Sequence, residues 1–379
     1  MRKPAPASAV RFAALPDPFR MTRGGELRRA QIAYECWGEL NKARSNAILL
    51  FTGLSPSAHA ASSPENPDDG WWEKMIGPGR AIDTDRYFVM CVNSLGSCFG
   101  STGPASVNPA TGKPYRLDFP ELAIEDIARA GYEAARSLGI EKLDTVMGCS
   151  LGGMVVVAFA AVIANGARRL VSISGSAASS PFAIALRSVQ REAVMSDPAW
   201  NRGNYPDNER GPQAGMRVAR KMGTITYRSA DEWRGRFARS GLSPVGKQAV
   251  ARALQRVPEG FGPRFAVETY LEAQAERFVR VFDPNCYLYL SRAMDCFDIA
   301  DHGAPEQSLK TAGLGSALVI GVESDFLFAV EEQAGIARHL SGAGVDTTFA
   351  RLPSIEGHDA FLVDLPRFDA AIRGFLNRE

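Results

Sequence analysis

Charge of one sign is what this chain most lacks. Across 379 residues, 43 Lys and Arg face 42 Asp and Glu, so no net field draws it to nucleic acid or to an anionic membrane surface. It holds no apolar run of the about 18 residues that a membrane-spanning helix needs. Its first residues, Met1-Arg2-Lys3-Pro4-Ala5-Pro6-Ala7, lack the continuous apolar stretch of a signal peptide. Cysteine is sparse and unpatterned: Cys36, Cys91, Cys98, Cys149, Cys286 and Cys296 show no Cys-x-x-Cys spacing. They read as reduced thiols in a cytoplasmic protein, which argues against a disulfide frame and a metal site. No internal repeat or low-complexity tract interrupts the chain. Its length allows a large core, as one domain with an insertion or as two domains.

What is present is concentrated chemistry. Gly148-Cys149-Ser150-Leu151-Gly152 reads Gly-x-Ser-x-Gly. A short apolar run, Thr145-Val146-Met147, precedes it, and a longer one from Met154 to Ala161 follows. Strand, sharp turn among small residues, then helix is the setting of a nucleophile elbow. A serine on a strained turn needs small neighbours, because larger side chains collide across the strand–helix junction. The helix that starts there aims amide N–H groups and a positive dipole end at the reacting centre. Over five residues alone, a plain glycine-rich junction would read the same.

An elbow serine requires an acid and then a histidine further along. Of the four histidines, His59, His302, His339 and His358, only His358 sits in a glycine-bearing loop just past a strand-like run, residues 347–352. His302 lies in a polar loop beside Asp301, and His339 in a polar helical pattern. After the apolar run 317–322 comes Glu323-Ser324-Asp325-Phe326-Leu327. Asp325 is placed to be the acid and Glu323 is its competitor. Taken alone, Asp325 reads as a turn or cap residue; between Ser150 and His358 it reads as the third member of a triad. Cys149 reads as a small filler facing away from Ser150.

Near-continuous apolar runs at 31–36, 47–51, 87–92, 145–147, 170–174, 317–322 and 347–352 predict strands buried on both faces of a mostly parallel sheet. Helical patterns at 122–138, 152–163, 329–340 and 368–376 alternate with them, which gives a doubly wound α/β architecture. Between 179 and 300 the alternation stops. Helical patterns at 181–194, 215–222, 229–239 and 267–281 take over, two of them joined by the proline-bearing loop 201–212. The expected division is a core of residues 1–178 and 301–379 with a helical cap, 179–300, inserted after the strand 170–174. The loop 55–72, too long for a mere connection, is expected to line the site.

In these contexts Ser150, Asp325 and His358 resemble the triad of the homoserine O-acetyltransferase family of α/β-hydrolase-fold acyltransferases. Further matches are Gly70-Trp71-Trp72 with Gly77-Pro78-Gly79, Ala81-Ile82-Asp83-Thr84, the stretch from Asn93 to Pro104, Phe119-Pro120 and Gly357-His358-Asp359-Ala360-Phe361-Leu362. They run over roughly residues 15 to 376. The resemblance implies an α/β-hydrolase fold, no metal or cofactor, and a homodimer. It implies that Arg220 binds the carboxylate of an amino-acid acceptor and Asp359 its ammonium, with Tyr227 framing that pocket. Arg217 and Arg228 lie close enough in sequence to compete with Arg220.

Some positions depart from the family pattern. Thr52-Gly53-Leu54-Ser55 stands where acetyltransferase members usually carry His-Ala-Leu-Thr, and Arg187 where homoserine-using members usually carry Asn. Both departures, and Asn285-Cys286-Tyr287-Leu288-Tyr289-Leu290-Ser291-Arg292, resemble the branch that succinylates serine. Ala329 and Val155 replace a common proline and glutamine. The distal carboxylate of succinyl-CoA would need a buried partner, because an unpaired buried ion costs several kcal/mol. Arg187 is the two-pronged candidate, unless it only faces solvent from a cap helix. The implied reaction is ping-pong transfer from succinyl-CoA to L-serine. Ser150 is the nucleophile, His358 the base, Asp325 its orienter, and the Leu151 and Leu54 amides the oxyanion donors. Homoserine as acceptor, an esterase or thioesterase, and a non-catalytic binding protein of the same fold remain alternatives.

Overall fold

The structure is a computed structural model that describes residues 9–206, 211–242 and 261–378. The segment Met1-Arg2-Lys3-Pro4-Ala5-Pro6-Ala7 and part of the loop 201–212 lie outside the described residues. The seven expected strands all form: β2 (Gln31–Trp37), β3 (Ala47–Phe51), β4 (Phe88–Val92), β5 (Leu143–Cys149), β6 (Ala167–Ile173), β7 (Ser316–Val322) and β8 (Asp346–Leu352). An eighth, β1 (Arg11–Ala14), adds an edge. The sheet order is β1-β2-β4-β3-β5-β6-β7-β8. β1 and β2 are antiparallel to their neighbours and every other pair is parallel.

The apolar runs explain the layering. In β3 every residue is buried, and alternate side chains point to opposite faces. Leu49 and Phe51 pack into one apolar cluster with α1 (Ile124–Ser137) and α2 (Leu151–Val162). Ile48 and Leu50 join a second cluster on the other face, with Trp72 and the residues Phe368, Ile372 and Phe375 of the C-terminal helix Leu365–Leu376. Each such side chain contributes about 1.5–3 kcal/mol when fully buried. Helices on both faces make this the expected doubly wound α/β fold.

Between β6 and β7 the chain passes through α3 (Pro181–Met195), α4 (Gln213–Thr226), α5 (Ala230–Phe237), α6 (Ala266–Val279) and α7 (Pro284–Asp295). α3 and α4 approach closely at Gly215, where a Cβ would strike the Ala193 carbonyl. The buried side chains of this region, among them Val194, Met216, Phe278 and Leu290, belong to the same apolar cluster as α1 and α2. Among the described residues, no helix is long and apolar enough to cross a membrane.

One expectation holds only at its edge. The loop 55–72 meets the site at its start, where Pro56 lies beside Gly53 and Ser150, and gives no lining residue to the pocket there. Beyond that it packs on the opposite face of the sheet: Trp72 is 1% exposed, stacks on Trp71 and donates from Nε1 to the Phe361 carbonyl at 2.9 Å. Its middle is tied to β2 by His59 Nδ1 on Glu35 Oε2 at 2.8 Å. The loop is long because it carries its own packed side chains, as compact surface loops do.

Candidate active site

Ser150 sits between the last residue of β5 and the first of α2, with φ 57° and ψ −116°. Left-handed backbone at a non-glycine residue stores strain. Three glycines make the turn possible. A Cβ on Gly148 would strike the Gly152 carbonyl, one on Gly152 the Phe51 carbonyl, and one on Gly153 would come within 2.8 Å of Gly175 Cα. The Leu151 amide opens α2 and has no intrahelical acceptor, as is general for a first turn. Cys149 is buried in the opposite apolar cluster, where burial pushes its thiol well above the usual range.

The relay from Ser150 is complete. His358 Nε2 lies 2.7 Å from Ser150 Oγ, and His358 Nδ1 lies 2.7 Å from Asp325 Oδ2. The other carboxylate oxygen, Asp325 Oδ1, accepts from the Leu327 and Phe328 amides at 3.0 Å each. Those bonds fix the direction in which the carboxyl group points. Glu323, the competing acid, is on the surface in an ion pair with Arg351. The other histidines are each paired with a carboxylate elsewhere: His59 with Glu35, His302 with Glu125 and His339 with Glu306.

His358 is 2% exposed and packed among the rings of Phe328, Tyr227 and Phe361. Burial disfavours its charged form, but the Asp325 carboxylate outweighs burial, and the imidazole pKa is raised from the ordinary 6.5. Its loop is clamped to the cap. The Asp359 amide donates to the Tyr227 carbonyl at 3.0 Å, and Ser229 Oγ donates to the Ile355 carbonyl. Gly357, with φ 70°, passes so close to Arg228 and Ser229 that a Cβ would not fit.

A narrow pocket of about 30 Å³ opens on Ser150. The core contributes Leu54, Leu327 and Phe328; the cap contributes Leu186, Arg187 and Gln190 from α3, Thr226 and Tyr227 at the end of α4, and Tyr287, Ser291 and Met294 from α7. Of the residues singled out from the sequence, Leu54, Ser150, Arg187 and Tyr227 line it. Gly53 borders Ser150, a Cβ there falling 3.9 Å from Ser150 Cβ. Thr52 is buried with an unpartnered hydroxyl, and Ser55 is half-buried.

Arg187 is 5% exposed, and it is not a free fork. Its Nε donates to Asp295 Oδ1 at 2.5 Å and one Nη to Ser179 Oγ at 2.7 Å. Asp295 also pairs with Arg191 at 2.6 Å, and Arg191 donates to Ser291 Oγ at 2.9 Å. The two-pronged geometry expected for Arg187 is therefore taken up by the cap itself. Two guanidiniums share the one Asp295 carboxylate, and the half-buried Glu332 also acts on Arg187.

The three arginine candidates for the acceptor separate. Arg217 is held by Glu272 and Glu276, and Arg228 by Glu356 at 2.9 Å with Asp359 at 3.5 Å. Arg220 lies over the rings of Phe278 and Tyr227, and its Nε is buried without a hydrogen-bond partner. Burial pushes the Asp359 carboxyl up, against the pull of Arg228, His358 and Arg220.

Sequence reasoning missed α7 as a pocket wall. Its start is signalled by Asp283-Pro284: the Asp283 carboxylate caps Cys286 N at 3.0 Å, and proline fits the first helical position. The pattern that follows hides the helix, because Asn285 and Ser291 are polar yet 0% exposed.

Comparison with known proteins gives three findings. A family model described as alpha/beta hydrolase fold matches residues 46–258. The chain is 56% identical over 370 residues to a protein of Stenotrophomonas maltophilia (strain K279a) named serine O-succinyltransferase, covering 97% of each. Among solved structures, homoserine O-acetyltransferase from Bacillus anthracis superposes with a TM-score of 0.86 at 26% identity, covering 98% of both chains. Esterase E22 superposes with a TM-score of 0.82 at 28% identity, covering 97% of this chain and 99% of that one.

Proposed function

Because the chain belongs to the serine O-succinyltransferase family of the α/β-hydrolase fold, it is an acyltransferase that moves a succinyl group to the hydroxyl of serine, and we propose that it works through a succinyl-Ser150 intermediate with succinyl-CoA as donor. The observation that carries this reading is the unbroken relay from Ser150 through His358 to Asp325, 2.7 Å at each step. His358 takes the Ser150 proton as Oγ attacks the thioester carbonyl. The Leu151 and Leu54 amides hold the oxyanion. CoA leaves with the proton from His358. In the second half-reaction the acceptor hydroxyl attacks the acyl-serine, with His358 again as base. Water reaching that intermediate would turn the enzyme into a hydrolase. The roof of α3, α4 and α7 over Ser150 counts against that.

The two guanidiniums of Arg187 and Arg191, which share one carboxylate beside the pocket, support a donor that ends in a carboxylate. An acetyl group has nothing to offer them. For the acceptor, the unpartnered Nε of Arg220 supports carboxylate binding, and Asp359, beside His358, takes the ammonium, with Tyr227 between them. The reading includes a cytoplasmic homodimer with no metal or cofactor. The exposed apolar side chains Val189, Val218 and Ile225 on the cap support pairing of two copies there, which light scattering would measure.

Purified protein incubated with succinyl-CoA alone should yield a peptide carrying Ser150 heavier by one succinyl group. Adding serine should clear it and release O-succinylserine. Continuous CoA release without serine and without acyl-enzyme would make the protein a hydrolase, and a label on Cys149 would move the nucleophile.

A further inference from the structure

One contact lies outside the chemistry above. Cys98, in the loop after β4, meets the start of α7. The Asp283 amide donates to Cys98 Sγ at 3.4 Å, and the Cys98 thiol donates to the Val281 carbonyl at 3.7 Å. Within the same turn, Cys286 is 0% exposed and its amide donates to Asp283 Oδ1 at 3.0 Å, so Cys98 and Cys286 meet about the one residue Asp283. The two residues are 188 positions apart, one on the core and one on the cap.

The pair is asymmetric in the way a redox pair needs. Cys98 is half-buried, so a small oxidant can reach it, whereas Cys286 is sealed. The Asp283 amide is aimed at Cys98 Sγ at 3.4 Å, and a thiolate is the form of cysteine that attacks a peroxide. Burial holds the Cys286 thiol protonated. Of the other four cysteines, Cys91 and Cys149 are fully buried, Cys36 is pushed up to about 12, largely by burial, and Cys296 is half-buried at the far end of α7 from Cys286.

We propose that Cys98 and Cys286 form a reversible disulfide on exposure to a hydroperoxide, stapling the core loop to the first turn of α7. The Cys98 thiolate attacks the peroxide oxygen, the O–O bond breaks, and Cys98 becomes a sulfenic acid as the second oxygen leaves as water. The Cys286 sulfur then attacks Cys98 Sγ. The S–S bond forms, the S–O bond breaks, and the departing hydroxide takes the Cys286 proton to leave as a second water. Two thiols are oxidised and one peroxide is reduced. The staple acts on the site because α7 carries Tyr287, Ser291 and Met294 into the pocket. A substrate that enters there must adjust these side chains, and a fixed α7 resists this.

The test is hydrogen peroxide treatment of the whole protein, followed by alkylation under denaturing conditions and peptide mapping. Free thiols should fall from six to four, with one cross-linked peptide pair lighter by two hydrogens. Succinylation of Ser150 should slow several-fold, and dithiothreitol should restore it. Cys98→Ser and, separately, Cys286→Ala should each leave the untreated rate unchanged and abolish the peroxide effect on rate. The exposed position guards against a folding failure at the buried one. Cys98 driven to sulfinic acid while Cys286 remains alkylatable would overturn the proposal. So would a cross-linked enzyme that acylates at the untreated rate.

Discussion

The two walls of the pocket are built by different rules. On the core wall, Ser150, Asp325 and His358 follow the C-terminal ends of β5, β7 and β8, where ligands of open α/β sheets bind. Their positions are set by backbone: a left-handed serine, glycines with no room for a Cβ, and a carboxylate fixed by two amides. On the cap wall, Arg187, Gln190, Tyr287 and Ser291 come from helices held by side-chain ion pairs and apolar contact. The chemistry is therefore carried by what cannot be exchanged without moving a strand. The cap side chains, by contrast, can be exchanged one at a time, which is what a selector of the acyl donor needs.

The sharpest break in that comparison is on the core wall. Ser150→Ala should fold with an unchanged thermal midpoint and lose about 10⁴–10⁶ in kcat, the range for removing a triad nucleophile. Gly152→Ala, which adds less than one side chain's bulk, should fail to fold at all. It drives a Cβ into the Phe51 carbonyl, inside the fully buried β3. A soluble, active Gly152→Ala enzyme would mean that the core wall is not set by backbone.

Next in size is the donor. Arg187→Asn removes one guanidinium but leaves Asp295 paired with Arg191, so no buried carboxylate is orphaned. The enzyme should fold, keep its use of acetyl-CoA, and lose about 2–5 kcal/mol with succinyl-CoA. Measuring kcat/KM for both donors reads this directly. Because Asp295 and Ser179 already hold two of the Arg187 nitrogens, the loss should fall nearer the lower figure. An equal loss with both donors would make Arg187 a strut of the cap.

The same difference between the walls governed what the sequence made legible. Strands buried on both faces are continuous apolar runs, and these gave seven of the eight strands of the large sheet to within a few residues at each end. β1 escaped because only Ala13 in it is buried, too little for a pattern. The triad was legible because backbone demands leave residue-type traces: glycines around Ser150, and the order serine, acid, histidine. The cap wall left weaker traces. Arg187 stood out, but its bond to Asp295 joins residues 108 positions apart, and no local spacing announces such a pair. The loop 55–72 looked like a lining segment, and burial of Trp72 on the far face sent most of it elsewhere.

Acceptor choice should move by less. Serine and homoserine differ by one methylene, worth about 1–3 kcal/mol in a fitted site. In competition for one succinyl-enzyme pool, serine should win about 5–150-fold, the same energies converted at room temperature. The core loop Thr52-Gly53-Leu54-Ser55 borders Ser150. Substituting it with His-Ala-Leu-Thr should shift the ratio towards homoserine without changing acylation by succinyl-CoA. An unchanged ratio would move acceptor choice wholly onto the cap.

The smallest effect asks whether the two walls act on each other electrostatically. Catalysis needs neutral His358, so activity is lost as pH falls through its pKa. Burial lowers that pKa, Asp325 and Asp359 raise it, Arg187 lowers it, and the sum lies above 6.5. The acid limb of kcat/KM for acylation should therefore have its midpoint above pH 6.5, with about a tenfold fall per unit below it. Asp325→Asn removes the strongest opposing charge and should shift the limb down, on whatever rate remains. Arg187→Asn removes a cation from the other wall and should shift it up, by less, because Arg187 is already neutralised in part by Asp295. Acetyl-CoA is the donor to use, since its binding is indifferent to the lost guanidinium. A limb that stays in place in Arg187→Asn would show that the cap selects the donor without touching the base.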